Sequence, residues 1–400
     1  MLPWESMLTA YGIPVVVAFL AEMAARVWIR WCGRYFVWAP YRRTHQILDQ
    51  PSLPRLPPLA RFEVNGDGER GDPVPGRNVD CYRVVVLGAS STECRYLDQE
   101  DTWPAYAQDF LNQPRNLALL QAERAHLGNL GRSLATCAHL DLILEKVNPR
   151  YERMDAVIVM TGAGDVVRWL SEKAPATIPD TPVDLDAIFD EHPEQPFAWT
   201  MRGLALRRIA SALRRRFLRS PDVHPNAGRG IGRARALRAN AEEILDSMPD
   251  AQAMFERFEE SFRRLLRRAQ RSARTVIVVR PCWVREAPSD EHRELGWMFA
   301  AGDLRTERVR AWYSHRVADR LLDRLDRRIA AIAREVGVPE LDPKPRLDPG
   351  FAHYYDETHL APEGCAIVGE AVAQAVLRER KGRLLSPLRS LDRDRHADVA

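Results

Sequence analysis

Two distant clusters in this chain hold residue types that can do chemistry together. The first is Tyr82–Thr92, YRVVVLGASST, in which an apolar β-rich run from Arg83 to Leu87 is broken by Gly88-Ala89-Ser90-Ser91-Thr92. A buried strand that ends in a tight turn before a helix presents a side chain at the carboxyl edge of an α/β sheet, where ligands bind. Ser90 stands at that turn and is the candidate nucleophile. A serine hydroxyl needs a base to take its proton and an acid to hold the base in the right tautomer. The second cluster, Tyr355-Asp356-Glu357-Thr358-His359-Leu360-Ala361-Pro362-Glu363-Gly364, supplies both just ahead of a helical run, with His359 as base and Asp356 as orienting acid. A lone G-x-S is most often a plain turn. The distant D-x-x-H gives this one a chemical reading.

Other chemistries fit the same residues less well. His353, Asp356 and His359 are spaced three apart and could be read as metal ligands, but no further ligand or supporting shell is evident in the sequence. Cys94 lies close to the nucleophile turn and reads as a buried structural thiol.

Positioning these residues takes alternating strands and helices, which imply a doubly wound sheet. Strands are expected near Arg83–Leu87, Ala125–Asn129, Ala156–Met160, Thr275–Arg280 and Val338–Leu341. Helices are expected near Thr102–Leu111, Ala135–Val147, Thr306–Val336 and Pro362–Arg378. Val166–Arg274 is too long for a simple crossover. Its stretch Ala234–Arg271 has helical periodicity through Leu237, Ile244, Met254, Phe258, Phe262 and Leu265. The expectation is a helical insertion that caps the active-site edge.

Taken in order, the motifs resemble those of the SGNH (GDSL-type) hydrolases, and in wider context a bacterial membrane-anchored subgroup of them. GASST resembles the nucleophile block; HLGNLGRSLAT (126–136) the second; DAVIVMTGAGD (155–165) the third; and Asp356–His359 the terminal D-x-x-H. The resemblance spans about Arg61 to Leu377. It implies a flavodoxin-like three-layer α/β/α sandwich with a parallel five-stranded sheet, carrying here a helical insertion and an N-terminal apolar helix. It also implies a serine esterase with the triad Ser90, Asp356 and His359 and no metal or organic cofactor. The substrate would be an acylated small molecule, carbohydrate or lipid.

The oxyanion hole is where the chain departs from that pattern. The resemblance implies three donors: the Ser90 N–H, the N–H of a second-block glycine and a third-block asparagine side chain. Leu134 occupies the glycine position and Gly164 stands where asparagine is expected. Losing a side-chain donor typically lowers turnover by about 10²–10³. Either a water or another side chain takes its place, with Asn129 a candidate and Asp165 a possible supporting residue. The alternative function is a catalytically weak or inactive SGNH-fold protein that binds an acylated glycan.

Composition sets wider bounds. Lys and Arg total 58 against 55 Asp and Glu, a net charge of +3, which gives no support to a nucleic-acid partner. Only Lys146, Lys173, Lys344 and Lys381 are lysines. The 6 cysteines contain no C-x-x-C pair, which argues against a zinc ribbon or disulfide scaffold. Arg207–Arg219 and Arg263–Arg271 are dense in arginine, and the expected reading is a solvated helix face balanced by Glu242, Glu243, Glu256, Glu259 and Glu260. The competing reading is a patch for anionic lipid or an acidic polymer.

The expected layout is a membrane-anchor or amphipathic segment over 1–49, a Pro/Gly-rich linker over 50–80, the hydrolase-like domain over 81–379 with its insertion at 166–274, and a charged tail over 380–400. Tyr11–Cys32 is apolar until Glu22, Arg26 and Arg30 interrupt it. Three readings of it stand: a transmembrane anchor, an in-plane amphipathic helix and an uncleaved signal-like segment. The expectation is a single membrane anchor. Arg26, Arg30, Arg34, Arg42 and Arg43 all follow the apolar run, which by the positive-inside rule puts the catalytic side in the cytoplasm. The resemblance to anchored relatives implies the extracytoplasmic side, and that is the placement expected here.

Overall fold

The computed structural model describes residues 12–76, 78–152, 154–179, 182–218, 220–286 and 289–397. The apolar opening forms helix α1, Ile13–Cys32, with Pro14 in its first turn, where a missing N–H does no harm. No described helix is long and apolar enough to cross a membrane. Strands β1, Arg43–Leu48, and β2, Leu59–Glu63, follow as an antiparallel pair. Residues 50–80, expected to run over the surface as a linker, contribute β2 and bury Leu53, Leu56, Glu69 and Arg70. Period-2 burial in RTHQIL was hidden from the sequence reading because its inward positions include Thr44 and Gln46.

The main sheet is built from β3, Cys81–Gly88; β4, Arg124–Asn129; β5, Ala156–Met160; β8, Thr275–Val279; and β10, Glu340–Leu341. All its pairs are parallel, in the spatial order β4-β3-β5-β8-β10. Numbered by appearance that order is 2-1-3-4-5, the flavodoxin-like arrangement whose ligand crevice opens between the first and third strands, here β3 and β5. Val86 marks the register, opposite Asn129 on one side and Ile158 on the other. The central strands VVVL, AVIVM and TVIVV are apolar but for the leading Thr275, because a parallel sheet is covered on both faces.

The covering layers separate by strand parity. Val85, Leu87, Val157 and Val159 pack with α4 (Cys137–Val147), α5 (Ala163–Ser171), α8 (Gln252–Ser272) and α9 (His315–Glu335). Val84, Val86, Ile158 and Ile277 pack with α3 (Trp103–Leu111) and α10 (Pro362–Ala397) on the other face. The chain is thus a three-layer α/β/α sandwich.

The stretch between β5 and β8 differs from the expected continuous helical cap. It holds α5, then α6 (Ala205–Leu218), β6 (Asp222–Ala227), α7 (Arg229–Ala239), β7 (Glu243–Leu245) and α8. Met254, Phe258, Phe262 and Leu265 face the core from α8, whereas Ile244 is exposed on β7. A stripe that looked continuous therefore breaks near Pro249, and its second half is an ordinary sheet-covering helix. β6 joins β1 in parallel, and β7 pairs with β9 (Ala311–Tyr313). β9 also takes residues expected in the next helix, which begins at His315, where the Ser314 side chain caps it.

Candidate functional site

The Ser90 turn forms because Gly88 ends β3 with no room for a side chain: a Cβ there would meet Thr92 Oγ1 at 2.0 Å. A four-residue helix α2, Ser90–Glu93, starts immediately, with Ser90 half-buried at its N-terminus. The turn sits at the carboxyl end of β3, beside the β3/β5 switch point. The Ser90 hydroxyl has no hydrogen-bond partner among the described residues. The Ser90 turn and the His359 loop are joined one residue over, where Ser91 Oγ donates to the Thr358 carbonyl at 3.1 Å.

Asp356 and His359 come together as a buried pair. Nδ1 of His359 lies 2.7 Å from both carboxylate oxygens of Asp356. An ionised carboxylate only accepts, so Nδ1 carries the proton and Nε2 keeps its lone pair. Asp356 also accepts from the amides of Thr358 (3.1 Å) and His359 (2.9 Å) and from the Trp297 indole N–H (2.9 Å). Burial alone would raise the Asp356 pKa, but His359 and these donors outweigh it and hold it below the usual carboxylate value. Burial would lower His359; the Asp356 charge and hydrogen bond outweigh that and raise it above 6.5. The Tyr355 ring stacks on the imidazole, with centroids 5.4 Å apart and planes 10° apart, and fixes its tilt.

Around Ser90, the main-chain N–H groups of Ser90, Leu134 and Gly164 have no acceptor among the described residues. Leu134 keeps the conformation of a glycine, with φ 63°, although the left-handed region costs an L-residue about 1–2 kcal/mol. Gly164 has no room for the expected asparagine: a Cβ would lie 2.5 Å from the Ala135 carbonyl oxygen and 3.0 Å from Ala89 Cβ. Small residues at 89 and 164 fit each other. Asn129, considered as the replacement donor, is committed elsewhere: its amide donates to the Thr92 carbonyl (2.7 Å) and its oxygen accepts from the Gly131 N–H (2.8 Å). It ties α2 to the second loop. Asp165 accepts from the first N–H of α4, that of Cys137, through both oxygens at 3.1 Å, and burial pushes its pKa up to about 7.

Four positioning residues gave no signal in the sequence. Arg70, 2% exposed, donates to the carbonyls of Glu93 and Cys94 (both 2.6 Å) and Leu97 (2.7 Å), which stabilises the C-terminal end of α2. Glu93, also buried, accepts from the Ser133 N–H at 2.5 Å and braces the second loop. Trp297 reaches Asp356 from the segment just after a short helix, Ser289–Leu295, that follows β8. Arg235 of α7 donates to the Tyr355 carbonyl (3.1 Å) and to the Ser52 carbonyl (2.5 Å). Through α7 this part of the expected cap is hydrogen-bonded to the segment that carries His359. Cys94 is buried with its thiol donating to the Ser91 carbonyl at 3.3 Å. His353 Nδ1 accepts from the Asp348 N–H at 2.8 Å, and no group of three or more candidate ligands capable of holding a metal occurs among the described residues.

No family model and no curated protein matches the sequence. Among solved structures the chain is similar to Axe2, an acetylxylan esterase from Geobacillus stearothermophilus, at 15% identity, covering 74% of this chain and 94% of that one with a TM-score of 0.38. It is also similar to a member of the lipolytic protein G-D-S-L family from Veillonella parvula DSM 2008, at 9% identity, covering 73% and 96% with a TM-score of 0.37. Likeness at that level does not speak to activity.

Proposed function

We propose that this chain is a serine hydrolase that cleaves an acyl or acetyl ester carried on a carbohydrate or lipid. The observation that supports it is the buried, hydrogen-bonded Asp356–His359 pair, held next to the Ser90 turn by the Ser91–Thr358 bond. In this reading Ser90 Oγ attacks the ester carbonyl carbon while His359 Nε2 takes its proton. The proton then passes to the leaving alcohol as the C–O bond breaks, leaving an acyl group on Ser90. Water attacks that acyl-enzyme, with His359 as base again, and releases the acid. Asp356 stabilises the imidazolium formed in each half. The main-chain N–H groups of Ser90 and Leu134 serve the oxyanion.

The second reading is a weak or inactive binding protein for an acylated glycan, and the packing that denies Gly164 a side chain favours it. Hydrolysis of p-nitrophenyl acetate and butyrate by the full chain in detergent separates the two. Ser90→Ala and His359→Ala should each lower turnover by roughly 10⁴-fold or more. Wild-type turnover no higher than that of the variants, in folded protein, would favour the binding reading. We also read the chain as membrane-associated through α1, whose apolar residues from Ile13 to Leu20 are exposed.

A further inference from the structure

We propose that α1 and α6 form one composite surface that lies in the interface of an anionic bilayer without spanning it. The proposal rests on the membrane reading of α1 and extends it to the insertion. The residues from Ile13 to Leu20 are exposed around the whole circumference of the helix. A protein groove covers one face of a helix. An apolar end exposed all round can instead dip past the headgroups, where acyl chains cover every face, while the docked second half of α1 stays at the interface.

The second half of α1 is not a free tether. Glu22 is 2% exposed, and its carboxylate accepts from the Ala205 (2.8 Å) and Leu206 (3.0 Å) amides, the first two N–H groups of α6. It also pairs with Arg26 at 2.7 Å. Phe19 stacks on Trp199 at 5.3 Å, and Arg26 lies over the same indole at 4.1 Å. The charges that interrupt the apolar run are therefore docking groups for the insertion.

α6 continues the apolar surface. Leu206, Leu213 and Phe217 recur at helical spacing on its outer side and are exposed, Phe217 at 69%. Its charge is one-sided: residues 195–221 contain Arg202, Arg207, Arg208, Arg214, Arg215, Arg216 and Arg219 and no acidic residue. Among the described residues of that stretch only Arg215 has a carboxylate within ion-pair reach, Glu191. The other arginine-rich run is balanced, with Arg263 on Glu335, Arg264 on Glu260 and Arg268 on Asp141 and Glu145. Of the expected counter-ions, Glu259 and Glu260 serve α8 and Glu242 serves Arg310, and α6 is left cationic. An apolar stripe flanked by uncompensated arginine is the pattern of an interfacial helix on anionic lipid. A second copy of the chain would set arginine against arginine across the same face. At 14 residues α6 is too short to span. From this surface the chain passes through β6 into α7, whose Arg235 braces the His359 loop.

The test is flotation of the full chain, exchanged from detergent, with phosphatidylcholine vesicles made with and without phosphatidylglycerol. Wild type should float with the anionic vesicles and partition roughly tenfold or more less onto the neutral ones. The pairs Leu213→Asp/Phe217→Asp and Arg207→Glu/Arg214→Glu, all exposed positions, should each lower anionic partitioning by about tenfold or more, with unchanged thermal unfolding. Wild type that floats with neither vesicle overturns the membrane reading itself. Wild type and both α6 variants floating equally overturns only the composite surface and leaves α1 as the sole contact. Light scattering that finds a dimer split by Leu213→Asp/Phe217→Asp, with flotation unchanged, assigns the face to a second copy and overturns the proposal.

Discussion

Asp356 is fully enclosed yet held as the anion, because four N–H donors from three residues converge on its two oxygens. Two of these residues, Thr358 and His359, are in the motif itself and could be read from its spacing. Trp297 could not, since it lies 59 residues upstream and only the fold brings its indole to Oδ2. Removing a hydrogen bond to a charged group typically costs about 1.5–3 kcal/mol. Trp297→Phe should therefore lower kcat on p-nitrophenyl acetate by roughly ten- to a hundredfold with KM nearly unchanged. A matching rise in KM would indicate instead that the indole lines the substrate site. The pH profile tests the same pair. The proposed mechanism needs neutral His359, whose pKa is raised by Asp356, so kcat/KM should climb through an apparent pKa above 6.5. An acid limb below 6.5 would contradict the coupling.

At the scale of elements, α2, the loop after β4 and the start of α5 meet where three small or unusual residues stand. Gly131 lets the second loop close on α2, since a Cβ would lie 2.3 Å from the Glu93 nitrogen. Leu134 accepts a left-handed backbone, and Gly164 packs on Ala135 and Ala89. The hydrolase pattern that the motifs resemble makes asparagine at 164 the obvious repair; the packing opposes it. Gly164→Asn should destabilise the protein by about 1–3 kcal/mol, as overpacking does, and should not raise turnover. Urea unfolding together with p-nitrophenyl acetate hydrolysis checks both parts, and an active variant of unchanged stability would sink the packing argument. The sequence marked all three loops correctly as places where the chain turns. It could not reveal that Asn129 is already used between two of them.

Across the whole molecule, two buried carboxylates set a pH dependence of stability. Burial pushes both Asp165 and Glu357 up to about 7, with the Asp356 charge adding to Glu357. A folded pKa raised above the unfolded value contributes stability that is fully present below the unfolded pKa and lost as pH rises through the folded one. The window therefore runs from about 4 to about 7. Asp165→Asn can still accept from the Cys137 amide and has no charge to desolvate. It should gain on wild type between pH 5 and pH 8 by on the order of 2 kcal/mol in urea unfolding. An equal difference at both pH values would show that Asp165 does not titrate there. On the scale of the chain, the sequence by itself determined the sheet: five apolar β-rich runs separated by helical ones admit few parallel arrangements, and each expected strand lies within a few residues of an observed one. It also placed Ser90 at the strand-end turn and Asp356 and His359 together in one loop, because strand-end and helix-start signals are local. Only the tertiary structure decided that residues 50–80 bury Glu69 and Arg70, that the insertion splits between the core and the exposed α1–α6 surface, and that Trp297, Arg235 and Arg70 hold the site. Periodicity reports that a face is apolar and names no partner for it. A buried polar side chain acquires its meaning from donors and acceptors that lie far away in the sequence.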